Sequence, residues 1–389
     1  MSWPRVVLSH VCEMVTDGTH ASPVRVAMGV PVLSAQNVKG NELNPSTLRF
    51  TTQDELILFQ RRVKPKAGDV LLTIVGTIGR SAVLTTDFDF VLQRSVAILR
   101  THSHKVNSDY LKLALDSGDF QRQLLSATNS SAQAGVYLGK LSKLTIPLPP
   151  LPEQRRIASI LDQAGAIRAK RREALESIDK IADSIFFAFF GDITSNSMQF
   201  EELLLGDVGG LDRGVSRVRP RNRPDLLGGV HPLIQTGDVS SSGGYVRHFS
   251  QTYSDIGLAQ SKMWPVGTLA ITIAANIAHT GILTFPACFP DSVVGFTSNP
   301  AITEVEYVRY WLRSLRATLE RQAPASAQKN INLAILRNLR IPVPRLSVQR
   351  LFAEILREIE AIRDIHQTHL AKLDELFASL QHRAFRGEL

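Results

Sequence analysis

Five arginines fall within eleven residues, Arg213, Arg217, Arg219, Arg221 and Arg223, in the run RGVSRVRPRNR. A guanidinium is planar, permanently charged and carries its N–H donors in a fixed fork, which suits phosphate oxygens and the O6/N7 edge of guanine. Pro220 and Asn222 oppose a helix here, so the run reads as an extended loop able to lie along a groove. A solvated basic loop with no ligand would look the same. Its counterpart nearer the N-terminus, DGTHASP, is less basic; Thr19, His20 and Ser22 are its candidate contacts, and they are equally ordinary turn formers. Gln36 and Asn37, and again Gln235, Thr236 and Asp238, end short apolar runs where amides and carboxylates would meet base edges. Gly-rich turns carry Thr77 and Arg80 in one half and Asn276 and His279 in the other, either as groove contacts or as plain turns. Ser130 and Ser131, and Gln328, Lys329 and Asn330, lie in polar loops, and Lys329 suits a phosphate.

Residue patterns for bond-making chemistry are missing. The sequence has no G-x-x-x-x-G-K-[ST] phosphate loop, no Asp-x-Lys or Glu-x-Lys step of the metal-dependent nucleases, and no Asn-Pro-Pro-aromatic or Asp-Pro-Pro-aromatic tetrapeptide. Neither G-x-S-x-G nor H-E-x-x-H occurs. Cys12 and Cys288 are far apart with no histidine cluster beside them, which argues against a disulfide framework or a zinc site and fits a reducing cytoplasm. The first residues lack the pattern of a signal peptide. The longest apolar run, Leu269 to Leu283, is interrupted by Asn276 and His279 and is too short to span a membrane. A cytoplasmic binding protein, without membrane, metal or cofactor of its own, is the expectation.

The elements that must position these residues come in two sets. With 389 residues the chain is long enough for at least two domains, and 44% hydrophobic residues indicate packed cores rather than disorder. The net charge of +8 is unevenly held: residues 1–145 carry 16 Lys/Arg against 11 Asp/Glu and residues 193–340 carry 14 against 11, while 146–192 and 341–389 carry 7 against 7 each. Two basic blocks thus alternate with two neutral ones. Shifting the sequence by 195 positions lays IPLPPLPEQRRIASIL (146–161) on IPVPRLSVQRLFAEIL (341–356), with 20 identities in the 49 positions from 131 to 179. A weaker match continues upstream, placing KAGDVLLTIVGTIGRSAVL (66–84) on PVGTLAITIAANIAHTGIL (265–283) and PVLSAQNV (31–38) on PLIQTGDV (232–239).

Each neutral block opens on a Pro-rich turn and then runs nearly proline-free. Ile157, Ile160, Ala164, Ile167, Ala174, Ile178, Ile181, Ile185 and Ala188 make an apolar stripe at alternating three- and four-residue steps; Phe352, Ile355, Ile359, Ile362, Leu373, Leu376 and Leu380 repeat it. Gly191 and Gly387 fall where helix-stopping residues belong. Neither helix could bury its stripe alone, so the two are expected to pair antiparallel as a coiled coil. A helix of about 37 residues is about 55 Å long, roughly 16 base-pair steps of a DNA duplex. Arg171 and His366 interrupt the two stripes at equivalent positions and are read as a polar layer that sets register; the alternative is that both snorkel outward.

Two variable blocks, each closed by an I-P-x-P-x-L-x-x-Q turn and a long helix, resemble the specificity subunits of type I restriction-modification systems. The likeness rests on IPLPPLPEQRRIASIL, GDVLLTIVGTIGRSAVL and the terminal FRGEL, and in the second half on GVSRVRPRN, PLIQTGDV and FPACFPDSVVGF. It covers essentially the whole chain; IPVPRLSVQR departs from it by losing the Pro-Glu of LPEQ. The resemblance implies an α+β fold in which two target-recognition domains form a pseudo-two-fold repeat joined by an antiparallel coiled coil. Its expected boundaries are 1–145 and 193–340 for the domains, and 146–192 and 341–389 for the helices with their turns. It further implies double-stranded DNA as ligand and two methyltransferase subunits plus motor-nuclease subunits as partners. S-adenosylmethionine, ATP and magnesium would belong to those subunits. The competing readings are a coiled-coil adaptor with incidental basic blocks, and a nuclease or methyltransferase with a diverged site.

Overall fold

The Pro-rich turns do start helices. IPLPPLP leads into helix Leu151–Phe190 and IPVPRLS into helix Leu346–Arg386, in a computed structural model that describes residues 3–39, 42–43, 49–85, 87–129, 134–274, 277–322 and 331–389. Pro152 is tolerated because it lies in the first turn, where its missing N–H would have had no helical partner. Gly191 and Gly387, at φ +66° and +78°, take the left-handed conformation that ends each helix.

The glutamine of each turn motif is a buried staple. Gln154 Nε2 donates to the carbonyls of Pro149 (2.8 Å) and Lys105 (3.0 Å), while its Oε1 accepts from Asn107 N (2.9 Å). Gln349 repeats this with the carbonyls of Pro344 (2.8 Å) and Ile302 (3.2 Å) and with Glu304 N (3.0 Å). Beside them, the Tyr110 hydroxyl donates to Pro147 O at 2.7 Å and that of Tyr307 to Pro342 O. Each helix start is thereby tied to the loop and helix that precede it.

The chain divides into two compact units, one of residues 1–172 and 368–389, the other of residues 173–367, so that each unit takes one variable block and half of both long helices. Among the described residues of the first unit, Arg5–Val7 pairs with Thr145–Pro147 and ties the beginning of the block to its end. An antiparallel sheet runs in the order Cys12–Asp17, Val96–Thr101, Val70–Thr73, Ser81–Val83, and a second sheet in the order Arg49–Thr51, Val30–Leu33, Val91–Leu92. The first sheet is covered on both faces: Val70, Leu72 and Leu99 pack towards helix Ser108–Leu115, while Leu71, Ala82 and Ile98 pack towards the second sheet. Burial on both sides explains why Val70, Leu71 and Leu72 are continuously apolar instead of alternating.

The second unit follows the same plan with more strands. Glu202–Leu204 pairs with Arg340–Pro342. Its main sheet runs Gly209–Arg213, Val293–Ser298, Leu269–Thr272, Thr280–Leu283, Tyr245–Val246, and the other runs Gln251–Tyr253, Leu227–Leu233, Ala287–Cys288, Met263–Trp264. Leu269 and Ile271 face helix Val305–Gln322 while Ala270 faces the opposite core. The fold is α+β: two domains of one plan, with two long helices that pair antiparallel.

That pairing is seen within each unit. In the first, Arg168 Nε meets Asp374 Oδ1 at 2.6 Å and the Arg168 guanidinium lies 4.2 Å above the Phe377 ring. In the second, Arg363 Nε lies 3.3 Å from Asp179 Oδ1, and Phe186 packs edge-on against Phe352 with ring centroids 5.4 Å apart. The apolar stripe runs differently from the one read above. Ile167, Ile181, Ile362 and Leu376 are about half exposed (52%, 52%, 51% and 51%), so they lie off the seam. Buried and half-buried positions at alternating four- and three-residue steps run Ile157, Leu161, Ala164, Arg168, Arg171, Leu175, Ile178, Ala182, Ile185 and Phe189, with their partners 195 residues on, and Ile160, Ala174 and Ile355 of the stripe read above are half-buried beside them. The seam passes through Arg168 because a long arginine stem covers apolar surface as a leucine would. Arg171 and His366, each half-buried, lie on this same seam.

Candidate nucleic-acid interface

In both units the loop after the edge strand crosses the turn before the central strand, and glycine makes the crossing possible. Gly18 follows strand Cys12–Asp17, and its N–H donates to Val96 O at 3.2 Å; Gly214 follows Gly209–Arg213 and donates to Val293 O at 2.8 Å. A Cβ at Gly18 would collide with the carbonyl oxygen of Leu92, and one at Gly214 with those of Phe289 and Pro290. The crossed turns correspond residue by residue. Val96 N donates to Gln93 O (3.1 Å) and Ile74 N to Ser95 O (2.9 Å); Val293 N donates to Pro290 O and Ile273 N to Ser292 O, both at 3.0 Å. Arg94 and Asp291 therefore occupy one position of the fold.

One position of this corner carries opposite charges in the two units, arginine (Arg94) in the first and aspartate (Asp291) in the second. In the first, buried Asp17 meets Arg62 Nη2 at 2.8 Å and exposed His20 Nε2 at 3.1 Å, with exposed Arg94 beside them. A cleft of about 470 Å³ opens there, lined by Asp17, His20, Arg94, Asn129 and Tyr137 among others. In the second unit arginines surround a carboxylate: Arg213 donates twice to Asp291 O (3.0 and 2.7 Å), Arg219 Nη2 lies 3.1 Å from Asp291 Oδ2, and Arg221 pairs with Asp291 Oδ1. Arg223 forks onto Asp225 and, through that hydrogen bond, holds its carboxyl below the ordinary range. Arg217 is exposed, and its guanidinium has no hydrogen bond or ion pair among the described residues. Lys262 adds a further cation, 3.8 Å above the Trp264 ring. The five arginines of one loop are thus unequal: Arg213 and Arg223 hold protein groups with their forks, while Arg217 keeps its fork whole.

The remaining sequence candidates scatter. Thr19 is half-buried, with its carbonyl taken by Arg94 N (3.0 Å); Ser22 and Gln36 are exposed. Asn37 is buried in a capping box, its Oδ1 accepting from Ser34 N at 3.0 Å, and Asp238 Oδ2 accepts likewise from Gln235 N at 2.7 Å. Both acceptors face their own backbone and close turns after equivalent strands. Gln235 and Thr236 are half-buried. Thr77 and Arg80 stand exposed on the turn between strands. His279 is half-buried beside a cluster of arginines, and burial followed by the charge of Arg316 lowers its pKa. Asn276, Lys329, Ser130, Ser131, Gln328 and Asn330 lie outside the described residues. Arg94 and Asp291 have no sequence signal of their own: they are isolated turn residues about 70 positions or more from the residues they meet. Only the alignment of LQRSVAIL (92–99) with FPDSVVGF (289–296) marks them as one site.

Two copies of one domain, each with a charged corner at the same place, define a protein of duplicated recognition design. Residues 3–177 and 199–375 each match the family described as type I restriction modification DNA specificity domain, and the chain belongs to that family. Its function is accordingly that of a type I specificity subunit with two target-recognition domains. Along its whole length it is 19% identical to the MjaX specificity subunit assigned to a type I restriction enzyme of Methanocaldococcus jannaschii, covering 93% of that protein. It is 27% identical to the EcoBI specificity subunit of Escherichia coli over 43% of this chain and 36% of that one. The crystal structure of the type I S subunit from M. genitalium shares the fold, with TM-score 0.61 and 14% identity over 98% of this chain and 96% of that one. Among the described residues no helix is long and apolar enough to cross a membrane.

Proposed function

We propose that this specificity subunit reads a bipartite target in double-stranded DNA, one half-site per unit, through the loop-and-turn corner of each domain. The observation that carries this reading is the corner itself: one backbone arrangement, fixed by Gly18 and Gly214, displays Arg94 in one unit and Asp291 in the other. A scaffold held constant while the charge at one turn position changes sign suits the reading of two different half-sites. The chain takes no chemical step. It positions methyltransferase subunits, two per complex, that flip and methylate adenine with S-adenosylmethionine, and motor-nuclease subunits that use ATP and magnesium, in the cytoplasm. The two long helices set the unread gap between half-sites, and Arg171 with His366 fixes their register.

Adenine methylation mapped across a genome expressing this chain with its methyltransferase subunit tests the reading. Two short half-sites around an unread gap are expected. Chain-dependent methylation of one undivided motif would reduce the reading to a single domain, and none at all, with both proteins associated, would favour the adaptor. Within the second half-site, Arg217→Ala is expected to cost about 1–3 kcal/mol and to relax one base position. A uniform loss over all sequences would make Arg217 a phosphate contact instead.

A further inference from the structure

One carboxylate organises the arginine loop of the second unit. Asp291 spends each side-chain oxygen on a different guanidinium, Arg219 through Oδ2 and Arg221 through Oδ1. Arg219 is held from its other side as well, with Nη1 donating to Ser216 O at 2.5 Å. None of the three is sealed away: the side chains of Arg219, Arg221 and Asp291 are 51%, 43% and 35% exposed. The pair of arginines is thus fixed in relative position while its remaining donors face solvent. The fold does not require a carboxylate there, since the first unit builds the same turn with Arg94.

Resting on the DNA-reading function above, we propose that Asp291 is a positioning residue that sets the specificity of the second unit for a guanine-containing half-site, acting through Arg219 and Arg221. A free arginine side chain loses much of its rotamer entropy when it is immobilised. Arginines already bridged by a carboxylate lose less on binding, and their fixed spacing selects the edges they can meet. The same carboxylate opposes indiscriminate attraction to phosphates. Without its charge the loop gains one net positive charge and loses the bridge that fixes Arg219 and Arg221 to one another, so affinity for any sequence rises as discrimination falls.

The test uses the full chain in complex with its methyltransferase subunit. Binding is measured to a duplex carrying the methylated motif and to duplexes with one half-site scrambled, across a salt series. For Asp291→Asn, the ratio of intact to second-half-scrambled affinity is expected to fall by about tenfold, the salt slope of non-specific binding to steepen by about one, and first-half discrimination to stay unchanged. Asp291→Glu, which keeps the charge but moves it, is expected to restore the salt slope more fully than the discrimination. In an Arg219→Gln/Arg221→Gln background, Asp291→Asn is expected to have no further effect on discrimination. A wild-type ratio in Asp291→Asn, or a full effect in the arginine-less background, would overturn the proposal while leaving DNA reading intact. A wild-type complex without sequence preference would remove the functional reading, and this proposal with it.

Discussion

Glu360→Leu is expected to destabilise the second unit by about 3–5 kcal/mol, the cost of leaving a buried charge without its partner. Arg309 and Glu360 meet at 3.2 Å with side chains only 4% and 6% exposed. Arg309 is enclosed further by the Tyr310 ring 4.7 Å from its guanidinium and by Gly244, where any Cβ would collide with it. Water therefore has little access to the cation once the carboxylate is gone. Arg309→Met/Glu360→Leu is expected to recover most of the loss, because a buried pair exchanged for apolar residues of similar volume is close to neutral. The measurement is denaturant unfolding of the full chain followed by tryptophan fluorescence; Trp264 and Trp311 report on the second unit and Trp3 on the first. Two units need not unfold together, so the phases are assigned by hydrogen exchange. A single Glu360→Leu variant as stable as the parent would show that Arg309 finds water or another acceptor. The first unit has no equivalent: glycine (Gly165) stands at the position of Glu360, and Lys112, at that of Arg309, pairs with Asp116 at 3.0 Å instead.

That contrast shows where sequence reading succeeds and where it stops. The repeat was legible because equal spacing survives drift in residue type, and it located the helix-bearing blocks and aligned PVLSAQNV with PLIQTGDV, although Asn37 and Asp238 there close turns on Ser34 N and Gln235 N, a role their residue types alone did not reveal. It also held a signal that went unused. Arg168 and Asp179 recur identically as Arg363 and Asp374, eleven residues apart in both helices. In an antiparallel pair such residues meet crosswise, and the structure has Arg168 on Asp374 and Arg363 on Asp179. The stripe departs from the seam at Ile167, Ile181, Ala188, Ile362 and Leu376, because counting apolar residues takes hydrophobicity for burial, whereas Arg168 packs on Phe377 and Ile167 faces outward. The recognition corner was half legible: the arginine run names the loop, but Asp291 reaches it only through the sheet, 70 residues away from Arg221. A contact made by two turns that the chain separates leaves no period and no spacing to read.

The glutamine of the turn motif has the second large expected effect. Gln349 is fully buried and makes four hydrogen bonds: its amide donates to Pro344 O and Ile302 O, and its carbonyl accepts from the Thr303 hydroxyl at 2.9 Å and Glu304 N at 3.0 Å. Leucine fills a similar volume but leaves two carbonyls, an N–H and a hydroxyl without partners, each worth about 1–3 kcal/mol when buried. Gln349→Leu is therefore expected to destabilise the second unit by about 3–4 kcal/mol, with partial relief as the hydroxyl turns and water enters. Gln349→Glu separates shape from hydrogen bonding: it keeps both acceptor contacts but sets a carboxylate oxygen against two carbonyls, and an intermediate loss is expected. Gln154→Leu should act on the first unit alone, through Asn107 N and the carbonyls of Pro149 and Lys105. Hydrogen exchange reads the three variants unit by unit, and the discriminating observation is where protection is lost. Loss confined to the first turn of the mutated helix would make the glutamine a local cap. Loss reaching helix Val305–Gln322 in Gln349→Leu, and helix Ser108–Leu115 in Gln154→Leu, would make it the joint through which each domain is fastened to its helix. The second outcome is the expected one, since both glutamines bond to the residues that begin those domain helices.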